Sequence, residues 1–282
     1  MFEYGRRNPS IGQCAAANRL RFRRPVFGTV RALFKPMLSI LALVVVATAQ
    51  DADPAIAGIV AAARSFDERL PNYICKQVTT RFQGATMEGP WKQVDTFEEQ
   101  LTYFNRKENH KLTSIKGKAV DNKRRPRGGL NTGNLFGGML SGVFRVESKA
   151  EFERDGEETI AGRKAIRLRY RVLRENSRWT SSANKQSYVR GFKGQAWADA
   201  KTLDVLRFTG QVEPEPGDPE WLGRTKIDMI YGFVKIGSDE HLLPVRSEVR
   251  LELEKKPKRN VAEFSEFRQY KTETKIEFGD AK

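Results

Sequence analysis

The sequence predicts a mainly β fold: a large curved antiparallel sheet, forming an incomplete β-barrel, with an N-terminal amphipathic helix and a short central helix or flap. Two observations predict this class. Apolar and charged residues alternate in several segments after residue 71, and one segment before it has helical periodicity. Alternation is typical of antiparallel strands with one solvated face, whereas buried parallel strands are apolar on both sides.

The only long apolar run, residues 36–50, lies ahead of these elements. Signal-peptide cores span ~7–15 apolar residues, whereas a membrane-spanning helix needs ~20. Eight basic residues and one acidic residue precede Gln50, and Ala47-Thr48-Ala49 fits a small-x-small cleavage pattern. We predict that residues 1–49 are a basic n-region plus signal peptide, and that cleavage between Ala49 and Gln50 leaves one exported β-rich domain, residues 50–282. The domain would be periplasmic or secreted; alternatively, uncleaved residues 37–49 anchor it in the inner membrane.

Charge and cysteine content limit the possible partners of this domain. The whole chain has 50 basic and 35 acidic residues, and removal of residues 1–49 leaves 42 − 34 = +8. A modest positive charge suits anionic lipid head groups or cell-wall polymers, whereas nucleic acid does not fit an export signal. Cys14 precedes the cleavage site, so Cys75 is the only cysteine of the domain. The domain therefore has no internal disulfide, and its core must stabilise it.

The first predicted element is an amphipathic helix over residues 54–69. Asp53 is a capping residue, Pro54 suits the first helical position, and Pro71 ends the helix. We expect the helix to cover a sheet face rather than a membrane. Its apolar stripe consists of Ile56, Ile59, Val60, Ala63, Phe66 and Leu70.

One-sided strands follow the helix, at residues 166–172, 227–233, 245–253 and 272–278. Turn signals predict hairpins at residues 106–109 and 237–240 and another near Ala200-Lys201, while residues 210–223 indicate an irregular loop. Residues 116–134 form a basic, glycine-rich loop that either contacts anionic head groups at a membrane surface or is simply solvated. Its candidate contact residues are Lys123, Arg124, Arg125 and Arg127.

Residues 135–144 are apolar but rich in glycine, which predicts a short helix or flap on the apolar sheet face. The two predicted helices total roughly 26 residues against some ten strands, so helices alone cannot cover the inner face of the sheet. The inward residues therefore either line a ligand cavity or fill a core. The cavity candidates are Phe136, Met139, Leu140, Phe144, Trp197, Met229, Tyr231 and Phe233.

Motifs for catalysis or cofactors are not evident. His110 and His241 lack a second histidine or cysteine at metal-ligand spacing. The chain has neither a G-x-S-x-G elbow nor a phosphate-binding loop. We expect no cofactor and no enzymatic activity, although a carboxylate-based hydrolase is a third, weaker hypothesis.

Several phrases resemble the bacterial periplasmic lipoprotein-carrier superfamily, the lipoprotein-localisation factors and their relatives. This resemblance implies a curved, incomplete antiparallel barrel closed by helices around an apolar cavity that holds acyl chains. The loops at residues 116–134 and 210–223 depart from a compact carrier. The phrases are AAARSF (residues 61–66), LPNY (70–73), LTYFNR (101–106), IKGK (115–118), WAD (197–199), LDVLR (203–207), YGFVKIG (231–237) and LP (243–244).

Two functions of different classes follow from these observations. The first is an exported, non-enzymatic binding protein that holds an acyl chain or an apolar segment in the concave face of the sheet, gated by residues 135–144. The second is an envelope interaction or structural module with a filled core, which recognises a partner through its edges and basic loop.

Overall fold

The structure is a computed structural model that describes residues 53–120, 136–183, 186–253 and 256–270. All of these residues belong to one compact unit, residues 50–282. Within the described ranges, no helix combines the length and the apolar character needed to cross a membrane. The predicted signal peptide and its cleavage site, Ala49 and Gln50, lie outside the described residues.

The described residues form one eleven-stranded sheet and a separate two-stranded hairpin, β7–β8. All paired neighbours are antiparallel, in the order β4-β3-β2-β1-β13-β12-β11-β10-β9-β6-β5. Since β4 and β5 lie at opposite ends of this order, the sheet does not close into a barrel, and the predicted fold class is confirmed. The strands are β1 (Tyr73–Gly84), β2 (Trp91–Phe104), β3 (Lys107–Ile115), β4 (Lys118–Ala119), β5 (Glu151–Ile160), β6 (Arg163–Val172), β7 (Thr180–Ala183), β8 (Gln186–Val189), β9 (Phe192–Asp199), β10 (Val205–Val212), β11 (Leu222–Ile236), β12 (Asp239–Leu253) and β13 (Lys256–Gln269).

Three α-helices accompany the sheet in the described ranges: α1 (Pro54–Arg64), α2 (Phe66–Arg69) and α3 (Phe136–Phe144). The N-cap of α1 is as predicted, because Asp53 Oδ1 accepts a hydrogen bond of 2.9 Å from the Ala55 amide. The prediction of one continuous helix over residues 54–69 is wrong, because the chain turns at Ser65. The Ser65 hydroxyl donates to the Ala62 carbonyl at 3.1 Å, a side-chain bond that competes with helical pairing.

The loops differ in detail from the sequence predictions. The β2–β3 turn consists of Asn105 and Arg106, both with positive φ, whereas residues 107–109 already belong to β3. The predicted loop at residues 210–223 is shorter, because Gly210–Val212 pair with β11 and leave residues 213–221 as the connection. The strand predicted at residues 272–278 lies outside the described residues.

The sheet carries α1 and α3 on one side, called here the inner face. Directly paired residues of antiparallel strands point to the same face. One pairing row therefore follows the inner face across eight strands, from β6 to β2. Its members are Leu168, Ala196, Phe208, Met229, Ser247, Ala262, Thr79 and Phe97.

Two apolar clusters lie on this sheet. The first core cluster joins the helices to β6, β9, β10 and β11, with Ile59, Val143 and Phe208 fully buried. The second core cluster is centred on β1 and β2 and continues onto β11, β12 and β13. Its buried members are Tyr73, Cys75, Leu101, Tyr103, Ile236, Leu243, Ala262 and Phe264.

Candidate functional site on the inner face

Six of the eight predicted cavity residues belong to the first core cluster, and five of them, all except Trp197, lie on the inner face. None of the five exceeds 5% exposure, so at these side chains the inner face is a packed core. Phe136 is the first residue of α3. Phe233 is only partly buried at the edge of the cluster, where the Arg163 guanidinium lies 4.6 Å from the centre of its ring. The five inner-face residues are Met139, Leu140, Phe144, Met229 and Tyr231.

Trp197 lies on the outer face, away from α1 and α3. It pairs with Arg207, whereas its neighbour Ala196 pairs with the inward Phe208. The Arg207 guanidinium lies 4.9 Å from the Trp197 ring centre, and the indole Nε1 donates to Glu158 at 2.8 Å. Trp197 therefore does not share the face on which the sequence analysis placed the cavity.

The helices cover only part of the inner face. The first core cluster contains residues of α1, α2 and α3, whereas the second contains none of them among the described residues. Leu70, directly after α2, packs against both clusters. The second core cluster thus lies beyond the described helices, and its buried members are themselves no more than 8% exposed.

Polar residues lie beside this second core cluster on β2 and β3. The pairing row through Tyr73 and Tyr103 ends at Glu108, and the row through Cys75 and Leu101 ends at His110. Tyr73 and Tyr103 stack with ring centroids 5.3 Å apart. Along these rows, the inner face therefore carries tyrosine, cysteine and leucine side chains on β1 and β2 and the titratable Glu108 and His110 on β3.

His110 lies between two buried carboxylates. Its Nε2 is 3.4 Å from Glu108 Oε2, and its Nδ1 is 3.7 Å from Glu99 Oε2. The Glu108 and Glu99 side chains are 7% and 1% exposed. Among the described residues, no group of three or more histidine, cysteine or acidic side chains is placed to hold a metal ion.

A pocket of about 430 Å³ opens between the β2–β3 hairpin and the helices α2 and α3. We call it the mouth pocket. Burial raises the pKa of Asp67 and Glu108 adds to the rise, while Arg106 opposes it. Burial also raises the pKa of Tyr103 to about 12, with Asp67 and Glu108 adding to the effect. The described lining residues are Asp67, Tyr103, Arg106, Lys107, Glu108, Gly138 and Ser141.

Four buried polar atoms close to the mouth pocket have no hydrogen-bond partner among the described residues: Asp67 Oδ1, His110 Nδ1 and the hydroxyls of Tyr73 and Tyr231. Tyr73 stacks on Tyr103, which lines the pocket. Tyr231 stands edge-on to Phe66, the neighbour of Asp67, at 5.6 Å between centroids. Buried polar groups are usually paired, so these atoms are free to hydrogen-bond to a polar group of a ligand.

The reactivity of the Cys75 thiol tests whether the second core cluster is shielded from solvent. Burial, followed by the charge of Glu108, raises the thiol pKa from 9.0 to about 12. Because the thiolate is the reactive form, we expect Cys75 in a Cys14→Ser chain to react with Ellman's reagent at pH 8 roughly a thousand-fold more slowly in the folded than in the urea-unfolded protein. Rates that agree within tenfold would contradict this environment.

An outer-face groove of about 460 Å³ is a competing site in the described ranges. Its two lining acids are paired: Asp228 pairs with Arg207, and Glu248 pairs with Arg250. Such paired charges are typical of a solvated sheet face. The predicted membrane-contact residues Lys123, Arg124, Arg125 and Arg127 lie outside the described residues.

The mouth-pocket residues were not identified from the sequence. Asp67 lies in a stretch interpreted only as helix, and Glu108 in a stretch interpreted as a turn. One signal was present: Gln77, Thr79 and Arg81 continue the inward alternation of Tyr73 and Cys75, so β1 changes from apolar to polar along its inner side.

No protein-family model matches the chain, and neither does any curated protein. Among solved structures, a DUF1329 family protein from Desulfovibrio piger and a LolA superfamily protein from Nitrosomonas europaea are 12% and 11% identical to it, each with a TM-score of 0.40 and coverage of 77% of this chain and 94% of the other. A putative outer membrane lipoprotein-sorting protein domain from Vibrio parahaemolyticus is 14% identical, with a TM-score of 0.37 and coverage of 79% and 95%. Two of these three structures are thus named as a LolA superfamily protein and a lipoprotein-sorting protein domain.

Proposed function

We propose that this chain is an exported, non-enzymatic binding protein that holds an acyl chain, or an apolar segment of a lipoprotein, on the inner face of its sheet. The ligand would lie on the second core cluster. The cavity residues predicted from sequence are not members of that cluster. The observation that carries the proposal is the unequal cover of the inner face, because the described helices pack on the first cluster and stop at Leu70.

Helix α3 is suited to act as the gate. Met139, Leu140, Val143 and Phe144 bury their side chains in the first core cluster. However, three of the nine helix residues are glycine, and glycine costs ~1 kcal/mol per position in a helix. A displaced α3 would uncover apolar surface next to the mouth pocket, which it lines through Gly138 and Ser141.

The proposal also includes the location of the domain and its contact with a membrane surface. Cleavage after Ala49 would release the domain into the periplasm or the medium, and Lys123, Arg124, Arg125 and Arg127 would contact anionic head groups. Each basic residue near an anionic surface contributes ~1 kcal/mol of binding.

The packed first core cluster favours a second candidate, an interaction module with a filled core and no ligand cavity. Its residues Ile59, Val143, Phe144, Phe208 and Met229 are fully buried. This module would bind a partner through its edges, and the two candidates differ in whether the isolated protein takes up lipid.

A titration with the fluorescent fatty acid cis-parinaric acid tests the proposed function. We expect saturable binding with one site per chain. Ala262 lies in the second core cluster, so Ala262→Phe should fill the site and weaken binding at least tenfold. Val261→Phe is the matched control, because Val261 is the next residue of β13 and faces the outer side, where it pairs with Glu248.

Thermal unfolding of both variants establishes that they are folded. Binding that is lost in Ala262→Phe and kept in Val261→Phe supports the inner-face site. No uptake by the unchanged protein, or equal uptake by both variants, would contradict it and favour the interaction module.

A further inference from the structure

Charge in the mouth pocket is separated along its depth. Asp67 and Glu108 supply acidic groups, and the Glu108 side chain is only 7% exposed. Arg106 and Lys107 supply basic groups from the β2–β3 hairpin, and the Arg106 side chain is 64% exposed. A ligand that fits this arrangement carries a cation at its inner end and an anion near the rim.

The unpaired atoms define the inner group more closely. Asp67 Oδ1 and the hydroxyl oxygens of Tyr73 and Tyr231 are all able to accept a hydrogen bond, and none has a partner within the described part of the chain. Tyr73 is 0% exposed and Tyr231 is 4% exposed. A primary ammonium group has three N–H donors. It can donate to each of these three oxygens, which belong to α2, β1 and β11.

The basic residues at the rim of the mouth pocket, Arg106 and Lys107, suit the anionic part of the ligand. Arg106 forms one exposed ion pair with Glu68, at 3.8 Å, and such a pair is weak in water. Its guanidinium and the Lys107 ammonium can therefore hold a phosphate, for which both residue types are suited. A phosphate linked to a primary ammonium through a short chain is the phosphoethanolamine head group.

We propose that the mouth pocket binds the head group of a phosphoethanolamine lipid, with the ammonium at Asp67, Tyr73 and Tyr231 and the phosphate at Arg106 and Lys107. This inference rests on the proposed function, since the acyl chain would extend from the pocket over the second core cluster, starting at Tyr103 and Tyr73. A bound ammonium also offsets the desolvation that raises the pKa of Asp67.

Calorimetric titration with three lysophospholipids of one acyl chain tests the head group. Lysophosphatidylethanolamine has the primary ammonium, lysophosphatidylcholine has a quaternary ammonium without N–H donors, and lysophosphatidylglycerol has no cation. Hydrogen bonds to a charged group favour the first by roughly tenfold or more over the other two. Equal affinities, or tightest binding of the glycerol lipid, would overturn the head-group assignment and leave the proposed function intact.

Single-residue variants localise the effect. Asp67→Asn should abolish the preference for the ethanolamine lipid. Tyr73→Phe and Tyr231→Phe should each weaken its binding several-fold without lowering the thermal unfolding temperature, because neither hydroxyl has a hydrogen-bond partner among the described residues. Glu240→Gln, an exposed acid in the β11–β12 hairpin, is the control and should change nothing. A preference that persists in Asp67→Asn would overturn the assignment of the ammonium.

Free phosphoethanolamine separates the two proposals. We expect it to bind far more weakly than the lysolipid, because it lacks the acyl chain. If it binds as tightly, the head-group site stands and the proposed acyl-chain function fails. If none of the lysolipids and no free phosphoethanolamine binds, both proposals fail.

Discussion

Glu248→Gln is expected to lower the free energy of unfolding by about 3 kcal/mol, because Glu248 is the common partner of three arginines on the outer face. Arg246, Arg250 and Arg259 donate to its carboxylate at 2.7–2.9 Å, and Glu248 is 8% exposed. Removing its charge leaves three neighbouring cations without their shared anion. Urea unfolding measures the loss.

A matched variant at the next outward acid of β12, Glu252, separates this network from ordinary surface pairs. Glu252 pairs with Arg224 at 3.1 Å, and both side chains are more than a quarter exposed. Glu252→Gln should cost less than ~1 kcal/mol. Equal losses for the two variants would show that the three-arginine network has no special role.

The pH dependence of stability follows from the same group. Burial alone would raise the pKa of Glu248, but hydrogen bonds from Arg259, Arg250 and Arg246 outweigh it and lower the pKa from 4.5 to about 2. Its contribution to stability is complete above pH ~4.5 and is lost as the pH falls from there to about 2. The loss in this window should be smaller in Glu248→Gln than in the unchanged protein.

Gly194→Ala is expected to lower the free energy of unfolding by ~3 kcal/mol or more, because the inner face has no room at this position. A Cβ on Gly194 would lie 2.7 Å from the Tyr170 hydroxyl and 2.8 Å from the Thr209 carbonyl carbon, and closer still to the Thr209 oxygen. Tyr170 donates a hydrogen bond of 2.7 Å to that oxygen, so neither group can retreat without breaking it.

Gly210 provides the control, because it pairs directly with Gly194 on the neighbouring strand β10. A Cβ on Gly210 would meet its nearest atom, the Tyr170 hydroxyl, at 3.4 Å, an ordinary contact. Gly210→Ala should therefore change stability by less than ~1 kcal/mol. If Gly194→Ala were as mild as Gly210→Ala in urea unfolding, the close approach of β9 and β10 would be contradicted.

Hydrophobic periodicity was sufficient to predict a strand of the sheet where one face of the strand is apolar and the other is charged. In β6, the apolar Ile166, Leu168 and Tyr170 alternate with arginines, and the structure places them inward. The same reasoning failed for Trp197, because β9 has the small residues Gly194, Ala196 and Ala198 on its inner side. Its largest apolar residue therefore points outward, beneath Arg207.

The mouth pocket could not be predicted from the sequence, because its residues come from distant elements. Asp67 and Tyr231 are 164 residues apart (231 − 67), and Phe66 brings them together only through tertiary packing. On β1, Gln77 and Thr79 point inward while Val78 lies on the other side, so the hydrophobic pattern gives no contrast between faces. The pairing register is needed to show which of these side chains lie on the same face of the sheet.

Native mass spectrometry on the protein purified from cell envelopes without denaturation tests the central claim most directly. The account predicts a one-to-one complex with a lipid, and a lower occupancy in Ala262→Phe than in Val261→Phe. A bare protein mass that stays unchanged after incubation with fatty acids and phospholipids would contradict it.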